Sequence, residues 1–149
     1  MAAFLDFLHH ISPAIVTVVF GGVVAQRIVA SRSHKSALLD LIVTNLEQLR
    51  SDALDYWGQS LPNTDSKRKL LEAKIKADAQ MIAADVTFVA EKYCWWKSSE
   101  RRLKSLMDDV HDACTGGDFE TKQKKAELSR YPTVVKSIHN LKKELWQKK

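Results

Sequence analysis

At 149 residues the chain has room for one compact domain and an attached segment, not for two ordinary domains. Five glycines and three prolines, against abundant Ala, Leu, Lys, Asp and Glu after residue 33, give a helical composition. Only Cys94 and Cys114 are present, which excludes a disulfide framework of the secreted type, and the net charge of +5 sits wholly toward the C-terminal end.

The first element is apolar. Residues 11–25 read ISPAIVTVVFGGVVA without a charge, and Phe4, Leu5, Phe7 and Leu8 extend the character upstream. A bilayer crossing takes about 20 residues at 1.5 Å each, so residues 1–30 are read as a membrane anchor with a span of about 11–30, its apolar start reaching back toward residue 3. A buried core helix is the alternative. The membrane reading rests on the lack of polar alternation, on Gly21 and Gly22 at mid-span, and on basic residues only downstream, at Arg27, Arg32 and Lys35. No positive charge precedes the run, so it is not a cleaved signal peptide. The positive-inside rule then sets the N-terminus outside and the remainder in the cytoplasm, at a bacterial inner membrane or plasma membrane. Arg27 would snorkel to the headgroups. Thr17, Gly21 and Ala25 recur every four residues, a small-residue face that suits self-association in the membrane; chance alignment is the competing explanation.

From residue 34 the pattern is amphipathic, with Leu38, Ile42, Leu46, Leu49, Ala53 and Trp57 at steps of three and four, predicting a helix over about 34–58 that continues the span. Residues 61–65, LPNTD, provide turn residues and a cap before a second helix over about 65–97, carried by Leu71, Ile75, Ala79, Ile82, Val86, Val89, Tyr93 and Trp96. The stripe resumes at Leu103, Met107, Val110 and Cys114, giving a third helix over 99–114 after a bend near Ser98–Glu100. Gly116 and Gly117 end it. A short helix over 119–130, a break at Tyr131–Thr133 and a last helix over 133–147 follow, the last with Val134, Ile138, Leu141, Leu145 and Trp146 on one side. The fold class is all-α: a single N-terminal transmembrane helix and a cytosolic antiparallel hairpin or bundle over 34–149, with coiled-coil spacing at its seams.

Two surfaces carry partner readings. A second helix that returns toward the bilayer brings Trp95, Trp96 and Lys97 to an interfacial position; the alternative has Tyr93 and Trp96 in the core beside a partly exposed Trp95. Residues 121–149 set nine Lys and Arg, among them Lys136, Lys142, Lys143, Lys148 and Lys149, against Glu127 and Glu144. A solvated helix face is the commonest meaning of such charge. Lipid or an acidic protein partner comes next, and nucleic acid last, for want of a binding motif.

Catalytic patterns are weak. Asp108, His111 and Asp112 share a helix face, with Cys114 nearby, but zinc needs at least three converging ligands and a thiol nucleophile needs an oriented base. His9 and His10 beside Asp6 read as a polar cap, and Gly116–Gly117 is too short for a phosphate loop. No enzyme activity, cofactor or metal is expected. In architecture alone the chain resembles small membrane-anchored helical accessory proteins of bacteria and phages, which is analogy. The expected role is a self-associating, membrane-anchored interaction or scaffold protein. A membrane-acting effector, pore-forming or depolarising in the manner of phage-defence, exclusion or toxin proteins, is the alternative.

Overall fold

The computed structural model describes residues 13–59, 66–93, 95–117, 119–121 and 126–149; the side chains of 13–25, 27, 28, 96–98 and 100 fall outside that description. Four α-helices account for most of it: α1 (Pro13–Gly58), α2 (Ser66–Lys92), α3 (Trp96–Thr115) and α4 (Tyr131–Trp146), with a 3₁₀ turn at Leu128–Arg130, and there is no strand among the described residues. The chain divides into two compact units, Met1–Ala37 and Leu38–Lys149.

In the first unit α1 begins at Pro13, a residue suited to a first helical turn because its missing N–H has no partner to lose there. The predicted anchor residues Thr17, Gly21, Ala25 and Arg27 lie on this helix, and their side chains are outside the described residues. Among the described residues, no helix is long and apolar enough to cross a membrane.

The second unit is a helical bundle. Heptad-like spacing puts Leu39, Ile42, Leu46, Leu49, Ala53, Tyr56 and Trp57 of α1 on one buried face, opposite Ile75, Ala79, Ile82, Val86, Val89 and Ala90 of α2. Leu103, Val110, Ala113 and Cys114 of α3 and Val134, Ile138, Leu141 and Leu145 of α4 complete the core. Each such aliphatic residue contributes about 1.5–3 kcal/mol by leaving water, which is why the 3–4 spacing decides the fold. Cross-links fix the helix directions. Lys74 meets Asp52 at 2.8 Å and Tyr56 meets Glu72 at 2.8 Å, so α2 runs against α1. Lys149 meets Asp40 and Tyr131 meets the Leu54 carbonyl, each at 2.8 Å, so α4 also runs against α1.

Four expectations change. The break between the second and third helices comes at Tyr93–Trp95, earlier than the polar patch at Ser98–Glu100, because both aromatic side chains pack against the core. Residues two apart on a continuous helix point about 200° away from each other, so the helix has to break to bury both. The helix expected over 119–130 is, among its described residues, a turn at Phe119–Glu120 and a 3₁₀ turn at Leu128–Arg130. Phe119 plugs against Tyr56, with ring centroids 4.8 Å apart, and Glu127 N–H donates to the Trp57 carbonyl at 2.8 Å; both contacts tie this stretch to the end of the bundle. Pro132 sits within the first turn of α4 and does not precede it, and Trp146, expected on the apolar side, is 49% exposed.

Candidate functional site

Five places carry chemistry or unpartnered surface. The first is the Asp108–Cys114 stretch of α3. Asp108, His111 and Asp112 are exposed, and His111 Nδ1 lies 3.3 Å from the Thr115 hydroxyl on its own helix. Cys114 is fully buried, and burial pushes its thiol up to about 12, so it stays protonated and a poor nucleophile. Among the described residues no group of three or more His, Cys, Asp or Glu could hold a metal ion.

The lysine-rich face of α4 is the second. Lys142 pairs with Glu47, Lys149 with Asp40, and Lys148 approaches Glu144 at 4.0 Å. The hydrogen bond from Lys142 is the main reason the Glu47 carboxyl is held below its ordinary range, with burial opposing and the charges of Lys142 and Arg50 assisting. Lys142 is thereby turned inward and fastens α4 to α1, whereas the Lys149–Asp40 pair is exposed. Lys136 and Lys143 remain exposed. A groove of about 450 Å³ runs between α1 and α4, lined by Glu47, Arg50, Val135, Lys136, His139 and Lys142.

At the α2–α3 turn, the third place, Trp95 is half-buried against the core and 6.4 Å from the Tyr93 ring. Tyr93 is half-buried as well, and the side chains of Trp96 and Lys97 are outside the described residues. Of the basic residues that follow, Arg102 lies 2.7 Å from buried Glu144, close enough for an ion pair but off the hydrogen-bonding direction.

Two features escaped sequence reasoning. The first is a polar and aromatic knot closing one end of the bundle. Arg68 is fully buried, its Nε donates to Glu72 Oε1 at 2.8 Å, and its Nη2 donates to the Thr121 carbonyl. Tyr56 donates to the same Glu72 oxygen and accepts the Glu120 N–H at 3.1 Å; burial first, and then the Glu72 carboxylate, pushes its phenol up to about 12. Trp57 Nε1 donates to the Cys114 carbonyl at 3.1 Å, and the Arg130 guanidinium stacks on the Trp57 ring at 4.5 Å. Gly117 (φ +64°) lets the chain pass under that guanidinium, where a Cβ would collide with it. Among the described residues no buried side-chain polar atom of the knot lacks a hydrogen-bond partner, as a structural closure requires.

The second feature is the outer face of α2. Leu70, Ala73, Ala77, Met81, Ala84 and Phe88 are all exposed, the three large ones at 70%, 47% and 53%. At 100° per residue they fall within an arc of about 80°, opposite the buried stripe, and span about 27 Å. Leu70 and Met81, Ala73 and Ala84, and Ala77 and Phe88 are each eleven apart in the sequence. That spacing keeps a stripe nearly straight along a helix. Single exposed apolar residues need no explanation; an aligned set does.

No family model, curated protein or solved structure matches this chain. Function is therefore argued from these surfaces.

Proposed function

We propose that this protein is a membrane-anchored helical interaction protein without catalytic activity. Its apolar N-terminal run would attach it to a bilayer, and its bundle would present helix surface to protein partners. The observation that carries the reading is the outer face of α2, a row of exposed apolar side chains on a bundle whose other apolar stripes are already used for the core. The attachment rests on sequence: residues 11–25 carry no charge, and Arg27, Arg32 and Lys35 follow on one side only. That asymmetry favours a cytosolic bundle at a bacterial inner membrane or plasma membrane, with a protein partner on that side. Thr17, Gly21 and Ala25 supply a face for self-association within the bilayer. Lipid is the second partner implied, and the pairing of Lys142 with Glu47 and of Lys149 with Asp40 weakens any case for nucleic acid.

Fractionation tests the anchor. The full chain is expected in the membrane fraction after alkaline carbonate washing, and deletion of residues 1–30 is expected to release it; recovery of the intact chain in the soluble fraction refutes attachment. Expression should leave membrane potential unchanged. Depolarisation that disappears on Gly21→Ile would instead favour the membrane-acting effector, which draws on the same small-residue face.

A further inference from the structure

We infer that the outer face of α2 binds the same face of a second copy of the chain, as an antiparallel pair with its two-fold axis near Ala79. The inference deepens the interaction reading above, on which it rests, and places the contact in the bundle, apart from residues 17–25.

The stripe is complementary to its own reverse. With the axis at Ala79, Leu70 of one copy meets Phe88 of the other at both ends, and Ala77 meets Met81 on either side of the centre. Large side chains thus face each other where the helices can splay, and small faces large where they cross. Ala73 and Ala84 lie between, leaving room for close approach of the backbones. An isologous contact of this kind closes at two copies.

Charge selects the same direction. The two flanks of the stripe carry Lys67, Lys69, Lys74 and Lys76 in residues 66–76, where the one acid, Glu72, is buried. Residues 78–92 carry Asp78, Asp85 and Glu91, with Lys92 at the end. Antiparallel pairing sets Lys69 beside the other copy's Glu91, and Lys74, which also holds Asp52 of its own chain at 2.8 Å, beside the other copy's Asp85. Lys67 and Lys92 come together only at the far ends, where solvent screens them. A parallel pair would stack lysine on lysine along half its length and place Leu70 on Leu70, Ala77 on Ala77 and Phe88 on Phe88, with neither steric nor electrostatic fit. Lipid is a poorer occupant, since acids as well as lysines line the stripe. A face of this size lies at the low end of specific interfaces, so pairing should depend on concentration and be favoured where copies are confined together.

Thiol cross-linking of the full-length chain tests both direction and occupant. Cys114 is buried, and Cys94→Ser removes the other native thiol. In that background, differently tagged Leu70→Cys and Phe88→Cys copies are mixed in detergent and oxidised. The expected product is the mixed dimer. Ala77→Glu, at an exposed position beside the axis, should reduce it by about tenfold or more while leaving the thermal melt of the helices unchanged. Dimers of Leu70→Cys with itself as the main product would overturn the antiparallel pairing, and so would absence of any cross-link. Loss of the α2 cross-link in a chain that still fractionates with membranes and still recovers a different protein partner overturns this pairing and leaves the proposed function standing.

Discussion

Replacing Glu72 with alanine strips a carboxylate from a guanidinium that has no access to water. The Arg68 side chain is 0% exposed and that of Glu72 is 8% exposed, with 2.8 Å between Nε and Oε1. Removing one partner of a buried ion pair costs about 3–5 kcal/mol. Glu72→Ala should therefore remove a large part of a total stability of about 5–15 kcal/mol and lower the melting temperature of the bundle by about 10–20 °C. The double variant Arg68→Met with Glu72→Leu removes both charges and keeps the volume filled. Its cost should fall to about 1 kcal/mol, chiefly the acceptor lost by the Tyr56 hydroxyl. Urea titrations followed by circular dichroism measure all three proteins on one scale. A Glu72→Ala cost below about 1 kcal/mol, or a double variant as damaged as the single one, would refute the claim that the carboxylate is there to neutralise Arg68.

Three further outcomes follow from the same geometry. Gly117→Ala should destabilise by about 1–2 kcal/mol, because alanine at φ +64° is strained and its methyl meets the Arg130 guanidinium; a melt within error of the parent would show that the turn relaxes freely. Asp78 has a carboxylate oxygen, Oδ2, that is buried without a hydrogen bond, and burial raises its pKa above the ordinary 3.8, with Lys74 opposing and Asp52 adding to the shift. The folded state then holds this proton more tightly than the unfolded state, so the group's contribution to stability falls as pH rises from about 3.8 through the raised folded value. Asp78→Ala should be more stable than the parent by about 0.5–1 kcal/mol at pH 7, with the gap closing in acid; no change in the gap between pH 3 and 7 would contradict this. The Cys114 thiol, buried and shifted to about 12, should react with maleimide only as fast as the bundle opens, and labelling within seconds under native conditions would count against its burial.

The bundle was legible wherever an apolar residue recurred at three and four positions. Ile42, Leu46, Leu49 and Ala53, then Ile75, Ala79, Ile82, Val86 and Val89, and finally Val134, Ile138, Leu141 and Leu145 are interior, because burying aliphatic surface outweighs local preferences over such lengths. The knot was harder to see, although Arg68 and Glu72 stand in register with Ile75, Ala79 and Ile82 at steps of four, three, four and three. Charged residues in that register look like the frayed start of a stripe, and only the arrival of Phe119, Glu120 and Thr121 from elsewhere in the chain shows that they are covered. Lys142 and Lys149 illustrate the converse. Their lysine-rich surroundings read as open surface, yet their partners Glu47 and Asp40 lie about a hundred residues away in sequence. Periodicity reports which face of a helix is apolar. It says nothing about which distant acid a lysine will find, nor that a second apolar row on α2 would be left uncovered.

The buried Arg68, Glu72 and Tyr56 also bear on how the helices are aligned. Seams built on steps of three and four look nearly the same after one helix slides past its neighbour by seven residues, and such a slide would bury much the same aliphatic area. It would also carry Arg68 about 10 Å from the Thr121 carbonyl and leave Glu72 facing hydrocarbon. The knot therefore penalises the shifted alignments more than it strengthens the native one. In the Arg68→Met, Glu72→Leu variant this should appear as a protein that melts normally but gives several sets of amide resonances; a single sharp set would show that the apolar seams alone choose the alignment.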